Sequence, residues 1–191
     1  MALFEDMLNR HLEAFATMRG LGPDLARAAG LAVEALASGG KLMICGNGGS
    51  AGDCQHFASE ITGRYSTNRR PLAALALTTD SSALTLIAND FSFAEIFSRQ
   101  VEALGRRGDV LVAVSTSGNS ENILRALEVA SRLGIASIGL LGKGGGQAAG
   151  LATVPLVVPS DANSVIQEAH VFLEHALCAH IEDGLRAVGF I

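Results

Sequence analysis

The sequence predicts an α/β fold, a doubly wound sheet of five parallel strands preceded by a helical hairpin. Three observations carry that expectation. Short continuous apolar runs recur at 41–45, 72–77, 109–115, 136–141 and 153–159. Stretches of helical period separate them, and strands that are apolar throughout and alternate with helices belong to a parallel sheet covered on both faces. The composition, rich in Ala, Leu and Gly with one Tyr and no Trp, suits helices packed on a sheet.

Taken in order, the first two elements are helices, 2–18 and 22–39. "GLGPD" separates them, Pro23 fits the first turn of the second, and Gly39-Gly40 ends it. "KLMIC" (41–45) reads as the first strand and 50–62 as the helix after it. "LAALAL" (72–77) is the second strand, followed by 81–104, which divides into two helices around "ANDFSF". "DVLVAVS" (109–115) leads to a helix at 120–133, "ASIGLL" (136–141) to a short piece near 146–151, and "TVPLVVP" (153–159) to a last helix at 162–183. No linker, repeat or low-complexity tract interrupts the pattern. A single domain over 1–191 is expected, with 1–40 packed on the sheet.

Bulk properties narrow the function classes. The 191 residues are 49% hydrophobic and 17% charged, enough to build a sizeable core. The formal charge of −5 excludes a global basic field for nucleic acid or an anionic membrane, and the scarcity of aromatics argues against a base-stacking surface. A local phosphate site stays open, because backbone amides can supply it. Cys45, Cys54 and Cys178 form no CxxC pair and are odd in number, which fits a reducing, cytoplasmic setting. The amphipathic, charged N-terminus is neither a signal peptide nor a membrane span, so a soluble protein is expected.

Three segments at strand ends hold the candidate chemistry, which is where ligands gather in such sheets. "STSGNSENI" offers the hydroxyls of Ser115, Thr116, Ser117 and Ser120 beside Gly118, with the first-turn amides of the next helix aimed at the same space. One hydroxyl suffices for an N-cap, so four favour an anion site. "CGNGGS" has neither GxGxxG spacing nor a following Gly-Lys-Ser/Thr, which argues against dinucleotide or ATP binding. Asn47 and the amides of Gly48 and Gly49 could instead approach a polyhydroxylated ligand.

His56 and Glu60, four residues apart, share a helix face and could bind a metal, act as base and partner, or form a plain surface ion pair. The C-terminal helix carries Gln167, Glu168, His170, Glu174, His175 and His180 among apolar residues, so some of these polar groups are buried and need partners. Periodicity does not choose the active histidine: His175 lies about 12 Å along the axis from Gln167, and His170 is closer.

From "CGNGGSAGDCQHFASEITGRY" through "ALTTDSSALTLIANDFSFAEIFSRQVEALG" and "STSGNS" to "IQEAHVFLEH", the chain resembles the phosphoheptose isomerases of the sugar isomerase (SIS) family. The resemblance implies a flavodoxin-like fold and a homotetramer with active sites between subunits, to which residues 1–40 would contribute. It implies an enzyme that isomerises sedoheptulose 7-phosphate to D-glycero-D-manno-heptose 7-phosphate, for bacterial surface sugars. Matched by motif, Asn47, Gly48, Gly49, Ser50, Glu60, Asn89, Asp90, Ser115, Thr116, Ser117, Ser120 and Gln167 would contact substrate. His56, Glu60, Gln167 and His175 would hold zinc, and Glu60 and His175 would be the catalytic acid/base pair. One departure stands out: Val165, after Asn163-Ser164, occupies a position where the family often has Arg. The alternatives are a non-catalytic adaptor of the replication-initiator-binding type or a sugar-phosphate sensor. The adaptor branch lacks the Glu and the final His that this chain keeps as Glu60 and His175.

Overall fold

The computed structural model describes all 191 residues. Its sheet has five parallel strands, β1 (Leu42–Gly46), β2 (Ala74–Ala76), β3 (Val110–Ser115), β4 (Ala136–Leu141) and β5 (Val154–Val157), in the order β2-β1-β3-β4-β5. That is the flavodoxin-like order. Register is continuous across the middle of the sheet, with Ile44 opposite Ala76 on one side and Val112 on the other.

Strand pleating explains the apolar runs. Leu42, Ile44, Val110, Val112, Ile138 and Leu140 face one core; Met43, Cys45, Leu111, Ala113 and Leu141 face another. The first core is covered by α2 (Gly22–Ala37), α3 (Gly49–Thr62) and α8 (Asn163–Ala187). The second lies under α4 (Ser81–Asp90), α5 (Ser98–Leu104), α6 (Glu121–Arg132) and α7 (Ala148–Leu151). Every buried side chain of Leu or Ile size contributes about 2 kcal/mol from area alone. The thiols of Cys45, Cys54 and Cys178 are all free and buried inside these two layers.

The second strand is shorter than its apolar run. Leu72 is buried, but its N–H donates to the carbonyl of Ile61 at the end of α3, so this part of the run seals a helix rather than lengthening the edge strand. The stretch 81–104 does divide in two, with a 3₁₀ turn at Phe93–Glu95 between α4 and α5. Pro23 sits in the first turn of α2, where its missing N–H costs nothing.

The N-terminal helix α1 (Ala2–Thr17) is the exception to burial. Only Ala14 of it is buried, while Leu3, Phe4, Met7, Leu8 and Leu12 are exposed. It is tied to α8 by the contact of His11 with the Glu168 carboxylate and by Phe15, whose ring meets Phe172 edge-on at 5.3 Å. No helix is long and apolar enough to cross a membrane.

Candidate functional site

Sheet order reverses between β1 and β3, so the loops leaving those two strands adjoin at their carboxyl ends. The structure fastens them together. Asn47, after β1, and Asn122, in the first turn of α6, exchange two amide hydrogen bonds of 2.8 Å each. Asn122 is buried, so this pair is a fixed joint. It also occupies the side chain of Asn47, leaving that loop's backbone as the part free to meet a ligand.

The β1 loop turns at Gly48, whose φ of +57° favours glycine, and enters α3 with the N–H groups of Gly49 and Ser50 unpaired within the chain. Gly49 is bare for a second reason. A Cβ there would stand 2.7 Å from the side-chain nitrogen of Gln167, so α8 presses its amide against this turn.

The β3 loop is preorganised. Ser115 Oγ accepts from the Gly118 amide at 3.0 Å and Ser117 Oγ from the Asn119 amide at 3.2 Å, which leaves both hydroxyl protons to donate outward. Thr116 and Ser120 make no side-chain hydrogen bond in the chain; Ser120 occupies the N-cap of α6 without capping it. The N–H groups of Glu121 and Asn122 find no acceptor either. Hydroxyls and amides thus converge unspent at a helix N-terminus, the arrangement that binds an oxyanion. Gly118 (φ +62°) packs so closely on the neighbouring glycine loop that a Cβ would lie 1.9 Å from the Gly145 carbonyl oxygen.

Further along α3 and α8, away from the Gly49–Gln167 contact, chain-distant residues meet. His56 of α3 and His175 of α8 bring their Nε2 atoms to 3.0 Å, and Glu60 Oε1 lies 4.0 Å from His56 Nε2. The ring of Tyr65 stacks on His175, centroids 5.6 Å apart and planes 30° from parallel. Two imidazole nitrogens at this separation either share one proton or face a common cation, since two ligands on a tetrahedral zinc sit at a comparable spacing of about 3.3 Å. The donor set thus suits zinc in kind. Gln167 makes no hydrogen bond to the other three, and no three His, Cys, Asp or Glu side chains converge tightly enough to form a ligand set unaided. Asn89 and Asp90, the exposed last residues of α4, hydrogen-bond to each other at 2.8 Å and to none of the other site residues.

Behind the site, α8 buries two polar side chains without partners. His170 and Glu174 have no hydrogen bond to any ring nitrogen or carboxylate oxygen. Burial pushes Glu174 up to about 9, with the charge of Asp53 adding to it. Burial pushes His170 down to about 4. Asp53 is itself raised by burial, an effect His56 opposes. Val165 is buried, so this chain has a core contact where the resemblance led one to expect a charge. Sequence spacing did not reveal the roles of Asn122 and Tyr65. The amide at the start of the helix after "STSGNS" was the available signal for the first, and the lone tyrosine of the chain for the second.

The chain is similar to known proteins over most of its length. The SIS domain model matches residues 4–142. Phosphoheptose isomerase from Aliarcobacter butzleri is 53% identical over 161 residues, spanning 84% of this chain and 85% of that one. The enzyme of that name from Rhodospirillum rubrum is 50% identical over 173 residues, 91% and 92% of the two chains. The solved phosphoheptose isomerase of Neisseria gonorrhoeae superposes with a TM-score of 0.90 at 43% identity, covering 95% of this chain and 98% of that one. The chain therefore belongs to the SIS family and, within it, to the phosphoheptose isomerases.

Proposed function

We propose that the chain converts sedoheptulose 7-phosphate to D-glycero-D-manno-heptose 7-phosphate through an enediol, in bacterial heptose biosynthesis leading to surface lipopolysaccharide. The observation that carries this reading is the cluster of Glu60, His56 and His175 from two helices, in a chain whose β3 loop also presents hydroxyls and amides suited to an anion. A phosphate on the Ser115, Thr116, Ser117 and Ser120 loop would anchor the sugar, and the backbone of Asn47, Gly48 and Gly49, with Ser50, would hold its chain.

Isomerisation moves one proton from C1 to C2 and another from O1 to O2. Glu60 takes the carbon-bound proton and returns it to the adjacent carbon; His175 carries the proton between the oxygens. His56, Glu60, Gln167 and His175 would hold one zinc ion per subunit, which when bound supplies positive charge to the developing enediolate. The adaptor reading is weaker on chemistry, since it needs neither a carboxylate nor an imidazole at these positions.

The enzyme is assigned to the cytoplasm, where three buried thiols stay reduced, and to a homotetramer. Two features support assembly: the exposed apolar face of α1, and an apolar cleft of about 540 Å³ that α1, α2 and α8 leave open. In that assembly Asn89 and Asp90, isolated from their own site, would complete a neighbour's. Light scattering is expected to give four times the chain mass of 19.7 kDa, and Leu8→Lys to reduce it.

The decisive experiment is turnover of sedoheptulose 7-phosphate in D₂O by wild type and Glu60→Gln. Wild type should yield aldoheptose phosphate carrying deuterium at C2. The variant should lose at least about 100-fold in kcat while binding inorganic phosphate as before. Unaltered turnover would remove Glu60 from the base role.

A further inference from the structure

Seven residues beyond His175, and so on the same face of α8, Glu182 is buried at 2% exposure. Its carboxylate accepts hydrogen bonds from the Tyr65 and Thr67 amides at 3.1 and 3.3 Å, from the hydroxyls of Ser66 and Thr67 at 3.0 and 3.1 Å, and from Arg69 Nε at 2.8 Å. Arg69, equally buried, turns its remaining nitrogens to the carbonyls of Glu60 and Ile61 at 2.8 and 3.0 Å. Those carbonyls belong to the last turn of α3, which has no helical donors left for them. One ion pair therefore ties the helix of His175 to the turn that carries Glu60. The segment between α3 and β2, without regular structure at 64–70, converges its amides on that single carboxylate and lays Tyr65 on the His175 ring.

A buried ion pair is a weak source of stability, and apolar side chains of similar volume often do as well. What this pair supplies is relative placement. We propose that Glu182 and Arg69 clamp α8 to the end of α3 and seat Tyr65 on the His175 imidazole, so that all three are positioning residues for the isomerisation. The inference rests on the roles given to Glu60 and His175 under the proposed function.

The test uses full-length enzyme labelled with ¹³C-histidine, with His175→Gln assigning the His175 Hε1 resonance. Tyr65→Leu is expected to lower kcat by about 10- to 100-fold, the usual range for groups that orient a ligating or reacting histidine, with KM within about twofold. It should also move the His175 resonance as the ring current is lost. Tyr65→Phe, which keeps the ring, should change neither. Glu182→Gln should reproduce Tyr65→Leu in both readouts; if it does not fold, the Leu and Phe variants of Tyr65 decide the matter. An unmoved His175 resonance in Tyr65→Leu, or a moved one with kcat intact, overturns the proposal. Full turnover by His175→Gln would instead overturn the catalytic role of that histidine, while the resonance shift still tests the clamp.

Discussion

Glu174 shows how far one side chain can depart from ordinary placement. It neighbours His175 in sequence but points into the core between α8 and α3, fully buried and without a hydrogen bond. Keeping it neutral there has a cost, because a carboxyl group without a partner loses its hydration and gains nothing in exchange. Glu174→Met, of similar volume, is expected to raise stability by roughly 1–3 kcal/mol, read as an increase in Tm by calorimetry at neutral pH. A fall in Tm would mean that the carboxyl group has a stabilising partner in solution. Glu182, on the same helix, is the opposite case. Burial would raise its pKa, but the hydrogen bonds from Tyr65, Arg69, Ser66 and Thr67 outweigh that and hold it at about 2. Identical side chains thus take opposite protonation states within one helix, and only the partners differ.

Within the elements, the loop proposed to hold phosphate is set by its neighbours more than by its own hydroxyls. Gly118 meets the Gly145 carbonyl where no side chain fits, and Gln147 donates its amide to Asn119 Oδ1 at 3.0 Å. Gly118→Ala should therefore force the two loops apart and raise KM for the sugar phosphate by at least about tenfold, with kcat changed less, since left-handed backbone and contact are both violated. Steady-state kinetics on the purified variant would show it, and an unchanged KM would detach this loop from phosphate binding. Much of this was legible beforehand. Apolar runs and their order gave the sheet, because a parallel strand buried on both faces leaves a continuous signature. Hydroxyl clustering beside Gly118 marks the loop proposed here for phosphate. What spacing left open was long-range pairing. His170 and His175 are alike in helical pattern, and only the fold puts one inside the core and the other against His56. Spacing does not single out Glu182 for the same reason: its partners lie well over a hundred residues earlier in the chain.

At the scale of the whole molecule, the Glu182 clamp has a signature in acid. Its pKa falls from 4.5 to about 2 on folding, so its contribution is complete above pH 4.5 and disappears as the pH drops toward 2. That contribution is on the order of 3 kcal/mol. The stability gap between wild type and Glu182→Gln, measured by urea unfolding, should hold constant above pH 5 and close between 4.5 and 2. A gap independent of pH would show that the lost contacts are steric. Unlike the charges, the thiols report on opening. Cys45 and Cys178 are pushed up to about 12 and Cys54 higher still, chiefly by burial, and they lie on both sides of the sheet. A water-borne disulfide reagent meets them only when the layers part. Two of them line the core shared by α3 and α8 and one the opposite core, so their rates of modification act as separate clocks for how each half comes undone.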